Sequence, residues 1–421
     1  MSEDFLYYVW QHRLFHQNDL TTMDGEPLQI VHVGQRNTHA GPDFSNARVK
    51  ISDTLWAGNV ELHLRTSDWK RHGHEEDPKY ENIILHVVYE HDTNILNTAP
   101  ILVLKDRVDE RLQARYKMFQ ASTDWIACQH QIKQVNDIHL MQMLDRMLVE
   151  RMEHKSAEIL ERLNWNKGNW EETMYQLTAR NLGLKINTDA FDLLARSLPL
   201  NIIAKHKNSL FQIEALLFGQ AGMLEGLAAD DYQQSLQKEY NFLAKKYQLK
   251  PIEEKLWKFM RLRPPAFPTV RIAQLAMLLH KSKHLFSQSM ESEHVQEVKG
   301  LFMATTSTYW QEHYRFGTLA TRKEKRIGEK SIDLLIINTL APLLFVYAQQ
   351  MGKPRAKEKA LQFLEELSAE KNALIDKWSQ VRWKANTAYH SQALLQLKNE
   401  HCDKKCCLSC TVGHQLLNLA G

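Results

Sequence analysis

The sequence predicts an α+β protein: an N-terminal α/β part built on a mixed sheet, followed by a larger all-helical region. Three observations carry that expectation. Alternating and continuous apolar runs, the marks of strands, fall between Leu28 and Leu104. From about Val135 onward the apolar period lengthens to that of helices and stays there. The chain, at 421 residues, 43% hydrophobic and 24% charged, is long enough for two or three domains with a sizeable core.

The elements follow in order. Residues 4–17 read as an amphipathic helix with Phe5, Leu6, Tyr8, Val9, Trp10, Leu14 and Phe15 on its apolar side. Met23-Asp24-Gly25-Glu26 reads as a tight turn, because Asp-Gly readily takes positive backbone angles. Leu28 to Val33 reads as a strand, 34–42 as a polar loop, and Phe44 to Ile51 as a second strand in which Ala47, Val49 and Ile51 alternate. Leu55 to Arg65 is the third. A strand there sets Val60, Leu62 and Leu64 on one face and Glu61, His63 and Arg65 on the other. Residues 67–80 read as a short helical or irregular connection, Ile83 to Tyr89 as a central strand, 92–100 as a turn and Ile101 to Leu104 as a last short strand.

In the helical region, Leu140, Met143, Leu144, Met147, Leu148, Met152, Ile159, Leu160 and Leu163 mark one long helix. Shorter patterns cover 170–182, 188–198, 210–218, 233–247, 269–281, 295–313, 331–350, 356–367 and 370–399, punctuated by glycine and proline. The expected division is 1–120, 121–400 and a cysteine-rich tail over 401–421. No repeat of fixed period is visible, which argues against a regular solenoid.

The net charge of +3 assigns no partner, so a nucleic-acid partner has to rest on a local basic patch. Candidates are Arg322-Lys323-Glu324-Lys325-Arg326 and Lys353-Pro354-Arg355-Ala356-Lys357, although interleaved glutamates make solvated helix ends the plainer reading. The opening residues mix acidic groups and histidines with hydrophobes, unlike a secretion leader. With few cysteines for this length, the expected setting is cytoplasmic, with no membrane association.

Two places carry chemistry. The first joins Asp43, after Pro42, to Glu61 and His63: two carboxylates from adjoining strands can share a divalent cation such as Mg²⁺ or Mn²⁺. The loop beyond adds His72-Gly73-His74, whose imidazoles suit Zn²⁺, Mn²⁺ or Fe²⁺ if the loop folds over the strand. The plainer readings are a turn-capping Asp43, a solvated Glu61 and a hydrogen-bonded core histidine at His86. The second place is the tail, where Cys402, Cys406, Cys407 and Cys410 fall within nine residues. Cys407 and Cys410 have the spacing of adjacent corners of a zinc site, with Cys402 and either His401 or Cys406 completing it; an iron–sulfur cluster is the alternative if Cys128 folds back.

Pro42-Asp43 and Glu61-Leu62-His63 resemble the signature of the restriction-endonuclease-like, PD-(D/E)XK nucleases, with histidine where that family usually has lysine. The order of helix, three strands, short crossover and strand resembles that fold's core. The resemblance implies Asp43 and Glu61 as metal ligands and His63 in the lysine's assisting role. Some nucleases of that fold also carry one distant cysteine and several near the end.

The stretches Leu20 to Gly25, Asn37 to Phe44, Val60 to His63, Asp68-Trp69, His72 to His74, Leu85 to Val88 and Arg263 to Pro268, with the cysteine tail, resemble a family of uncharacterised bacterial proteins. The expected function is therefore a metal-dependent nuclease or a nuclease-derived nucleic-acid-binding protein. A histidine and carboxylate metallohydrolase of another class, or a non-enzymatic helical scaffold, is the alternative.

Overall fold

The computed structural model describes residues 1–95 and 99–419, and the turn expected over 92–100 lies partly outside them. The chain forms two compact units: one of residues 1–143 with 397–421, the other of residues 144–396. It is an α+β protein with an N-terminal mixed sheet and a large helical region.

In the first unit, helix α1 (Glu3–Gln11) begins where the Ser2 side chain accepts from the Phe5 N–H at 3.3 Å, with Glu3 and Asp4 favourably placed in the first turn. It stops at Gln11, earlier than its apolar residues imply, because Arg13 takes a positive φ of 52° and turns the chain so that Phe15 stacks on Trp10. The strands are β1 (Leu28–His32), β2 (Gln35–Arg36), β3 (Phe44–Ile51), β4 (Thr54–Arg65), β5 (Ile83–Glu90) and β6 (Ile101–Val103), with the short helix α2 (Asp68–Arg71) between β4 and β5. The sheet order is β1-β3-β4-β5-β6 with β2 paired to β3. Pairing is antiparallel as far as β4 and parallel from β4 to β6. Val60 and Leu62 on β4 meet Leu85 and Val87 on β5 in one layer, where all four are fully buried.

At Gly58 the sheet leaves no room for a side chain. A Cβ there would lie 2.5 Å from Ile84 Cγ2 and 2.9 Å from the Asn82 carbonyl oxygen, just where β5 joins β4. Gly58→Ala is expected to cost about 1–3 kcal/mol by overpacking, read from urea unfolding.

Helix α3 (Glu110–Ala121) was not expected from the sequence: it is largely polar, and Leu112 and Phe119 are the residues it buries. Helix α4 (Asp137–Trp165) is the long helix expected. In the second unit the helices at Trp170–Leu182, Thr188–Ser197, Leu210–Gln220, Asp231–Tyr247, Pro268–Lys281 and Pro354–Glu366 match the expected periodicity closely. Two expected helices are broken. The pattern over 295–313 divides into Val295–Phe302 and Thr308–Glu312, with Thr305 bridged to Arg326 and a small hairpin following. That over 370–399 divides at Arg382 and resumes at Ala388, because Ser368 bridges Thr387.

Lys325, from one of the basic runs, turns inward and donates to the carbonyls of Trp310 at 2.6 Å and His313 at 2.7 Å, so its charge serves the fold. One segment among the described residues, Glu329–Met351, is long and apolar enough to cross a membrane. Because 72% of its most apolar stretch is buried inside the protein, it reads as a core helix.

Candidate metal centre

Asp43 and Glu61 meet because of one irregularity in the sheet. Ala47 to Ile51 pair with β4 in one register and Phe44 pairs with Val60 in another, displaced by a bulge at Ser45 and Asn46. Asn46 has a φ of 57°, which asparagine tolerates better than most residues. Had the inner register continued, Phe44 would face Glu61; with the extra residue, Asp43 does. Two bonds lock the pair: the Asp43 N–H donates to Glu61 Oε2 at 3.0 Å, and the Leu62 N–H donates to Asp43 Oδ2 at 3.0 Å. The Tyr7 side chain, from α1, hydrogen-bonds the Asp43 carboxylate as well.

The histidine loop folds over the same face. Gly73, at a φ of 73°, turns the chain sharply after α2 and brings both flanking imidazoles back towards β4. His72 Nδ1 lies 3.1 Å from His63 Nε2, and His74 Nε2 lies 3.2 Å from Glu61 Oε1. Donor atoms of His63, His72 and His74 all fall within 4.8 Å of one another. His63 Nε2 is 3.8 Å from Glu61 Oε1. Tetrahedral bonds of roughly 2.0–2.1 Å require edges of about 3.3–3.4 Å between ligands, close to the separations of His63 from His72 and of His74 from Glu61, so the three imidazoles can converge on one ion with Glu61 beside His63 and His74.

Aromatic rings hold the imidazoles in place. Tyr80 stacks on His74 with centroids 3.8 Å apart, and the Trp69 ring lies 4.9 to 6.3 Å from His86, His74 and His63. His63 Nδ1 lies 2.9 Å from His86 Nε2. With the proton on Nδ1, that bond leaves the His63 Nε2 lone pair facing His72, His74 and Glu61. His74 Nε2 is buried and makes no hydrogen bond. A buried ring nitrogen that faces a carboxylate oxygen at 3.2 Å without a hydrogen bond is placed as a metal ligand would be.

The electrostatics point the same way. Burial, with the Asp43 carboxylate beside it, raises Glu61 to about 8, and burial raises Asp43 to about 6 against the opposing Leu62 N–H. Burial and the neighbouring His86, His74 and His72 push His63 down to about 2; burial and His74 push His86 to about 4. At neutral pH His63, His74 and His86 are therefore neutral, and Glu61 holds a proton that a cation would displace.

All five sequence-predicted residues, Asp43, Glu61, His63, His72 and His74, thus come together. Cys402, Cys406, Cys407 and Cys410 lie on a separate turn and helix start in the same unit. Sequence reasoning missed Tyr7, Trp69 and Tyr80, which look like ordinary core aromatics, and the bond from His86 to His63. The register of Glu61 opposite His86 across parallel strands is the signal that would have found the last. His86→Phe is expected to weaken metal binding about 10–100-fold while leaving the ligands themselves intact, as measured by calorimetric titration.

No curated protein and no solved structure matches the chain. Residues 3–373 match the family described as "Protein of unknown function (DUF2851)", and the chain belongs to that family.

Proposed function

We propose that the protein is a metal-dependent phosphodiester hydrolase, a nuclease, that uses one transition-metal ion held by Glu61, His63, His72 and His74. The observation that carries the reading is the convergence of three imidazoles, His63, His72 and His74, with the Glu61 carboxylate beside two of them. Three imidazoles with one carboxylate favour Zn²⁺, Mn²⁺ or Fe²⁺ over Mg²⁺, which prefers oxygen ligands and retained water. When bound, such an ion polarises a phosphoryl oxygen and acidifies water.

The chain's own groups supply the rest. The Leu62 N–H and the Tyr7 side chain orient the Asp43 carboxylate, which can take the proton of an attacking water. A carboxylate raised to about 6 is ionised at neutral pH yet basic enough for that work. Arg36 and Arg71 interact electrostatically with Asp43 and His63, placing cationic groups where an anionic substrate would approach. Trp69 and Tyr80 keep the imidazoles oriented and limit water around them.

The order α1, three antiparallel strands β1, β3 and β4, then α2 and the parallel strand β5 supports a phosphodiester substrate over other hydrolase chemistry, on analogy of fold. Here His63 stands at the motif position where those nucleases usually have lysine. Incubation of single- and double-stranded DNA and RNA with the full chain and Mn²⁺, Zn²⁺ or Mg²⁺ tests the reading. Metal-dependent cleavage that disappears in Glu61→Gln and Asp43→Asn is expected; cleavage unchanged in both variants would overturn it.

A further inference from the structure

The cysteines form a second cluster that the hydrolytic site does not use. Cys402 ends a π-turn (Leu397–Cys402), Cys407 opens a single 3-10 turn (Cys407–Ser409), and Cys410 precedes the helix Thr411–Leu417. Gly413 lets that helix pack against the turn: a Cβ there would sit 2.1 Å from the Cys407 carbonyl oxygen, so Cys407 and Cys410 are held in a fixed relation.

Cys128, far away in sequence, is brought to the same place by contacts from its own segment. The Gln120 side chain donates to the Lys405 carbonyl at 3.1 Å, and the Lys398 ammonium lies 5.4 Å from the centre of the Trp125 ring. Cys128 itself tops a turn, accepting from the Gln131 and Ile132 N–H groups at 3.0 and 2.9 Å. Burial, and then the neighbouring Cys410 and Cys407, raise the Cys128 thiol. Cys402 is raised by burial and by Cys410, Cys128 and Cys407. Cys406 is not among the thiols that act on Cys128 and Cys402, and its Sγ turns to the Lys404 carbonyl at 3.7 Å, while Cys410 Sγ lies 4.0 Å from Met143 Sδ.

We propose that Cys128, Cys402, Cys407 and Cys410 form a four-thiolate metal centre, with Cys406 outside it. Four half-buried cysteines that the fold brings together from two distant segments are an unusual way to build an ordinary core, and neighbouring thiolates repel one another unless a cation stands between them. A thiophilic centre accounts for both, either a tetrahedral zinc or an iron–sulfur cluster. It would also tie the 120–128 segment to the C-terminal turn, as structural metals do in small folds.

The test is metal, iron and acid-labile sulfide analysis of the full chain purified without oxygen, alongside its visible spectrum. Either iron with sulfide and a brown chromophore, or colourless protein with one zinc beyond any ion at the histidine site, is expected. Each variant Cys128→Ser and Cys402→Ser should lose that content entirely, Cys406→Ser should keep it, and His74→Ala should leave it unchanged. Wild-type protein with neither metal, or content that survives Cys128→Ser, would overturn the proposal. Should Cys402→Ser fail to fold, the paired comparison of Cys128→Ser with Cys406→Ser decides.

Discussion

Glu61→Gln is expected to bind Mn²⁺ or Zn²⁺ more than about 100-fold more weakly than the wild type, since even outer partners of a ligand are worth 10–100-fold. The same variant should unfold at an equal or higher temperature at pH 8 without metal. The reason lies in what burial does to the carboxyl group. Glu61 is raised from its ordinary value near 4.5 to about 8, so the folded chain keeps a proton that the unfolded chain has given up. Stability supplied by that proton is present below 4.5 and is lost as pH rises through about 8. His63, pushed down from 6.5 to about 2, works in the opposite direction: its contribution is present above 6.5 and is lost as pH falls through about 2. Between 6.5 and 8 the His63 contribution is constant, and the other titrating groups are common to both proteins, so metal-free wild type should lose stability relative to Glu61→Gln as pH rises across that window. Glutamine has no proton to lose, so the slope should flatten. Thermal unfolding of both proteins from pH 6.5 to 8 checks the sign.

A residue kept only for packing would behave differently. Replacing a carboxyl that merely accepts the Asp43 N–H by an isosteric amide would leave metal affinity where it was. Metal affinity and stability moving in opposite directions is the signature of a group retained for binding at the expense of the fold.

Asp43→Asn is expected to lower cleavage about 10²–10⁴-fold, the range that a positioned general base supplies, while the ion remains bound. Asparagine keeps an oxygen to accept the Leu62 N–H, so the bulge and the Glu61 bond should survive. Equal loss of metal and of cleavage would instead place Asp43 among the ligands. Titration of the variant with Mn²⁺, next to its single-turnover cleavage rate, separates the two roles.

Much of this region was readable from residue order alone. Strand β3 has the limits that its apolar alternation implies, and β5 ends one residue beyond its continuous run. The parity of β4 places Glu61 and His63 on one face, as alternation demands. The bulge was less visible. Phe44 and Ala47 are both buried although three positions apart, a break in period two that only a left-handed Asn46 explains. Nor did spacing show that His72 and His74 close over His63, since that depends on the backbone angle at Gly73 and on Tyr80 as a stacking platform.

In the helical unit the misjudged stretches share one cause. Periodicity over 295–313 runs through Thr305-Thr306-Ser307-Thr308, residues that favour local backbone bonds over helix interior, and the bridge of Thr305 to Arg326 takes the backbone instead. The 370–399 pattern is likewise interrupted where Ser368 pairs with Thr387. Tertiary pairing of this sort leaves no mark in a hydrophobic period.

The most direct measurement is anomalous diffraction from crystals of the full chain grown with Mn²⁺ or Zn²⁺. One peak is expected among Glu61 Oε1, His63 Nε2, His72 Nδ1 and His74 Nε2, at bonding distance from each and absent in Glu61→Gln crystals. Crystals with the metal in excess in which His63 Nε2 and His72 Nδ1 stay 3.1 Å apart with no peak between the four side chains would contradict the account.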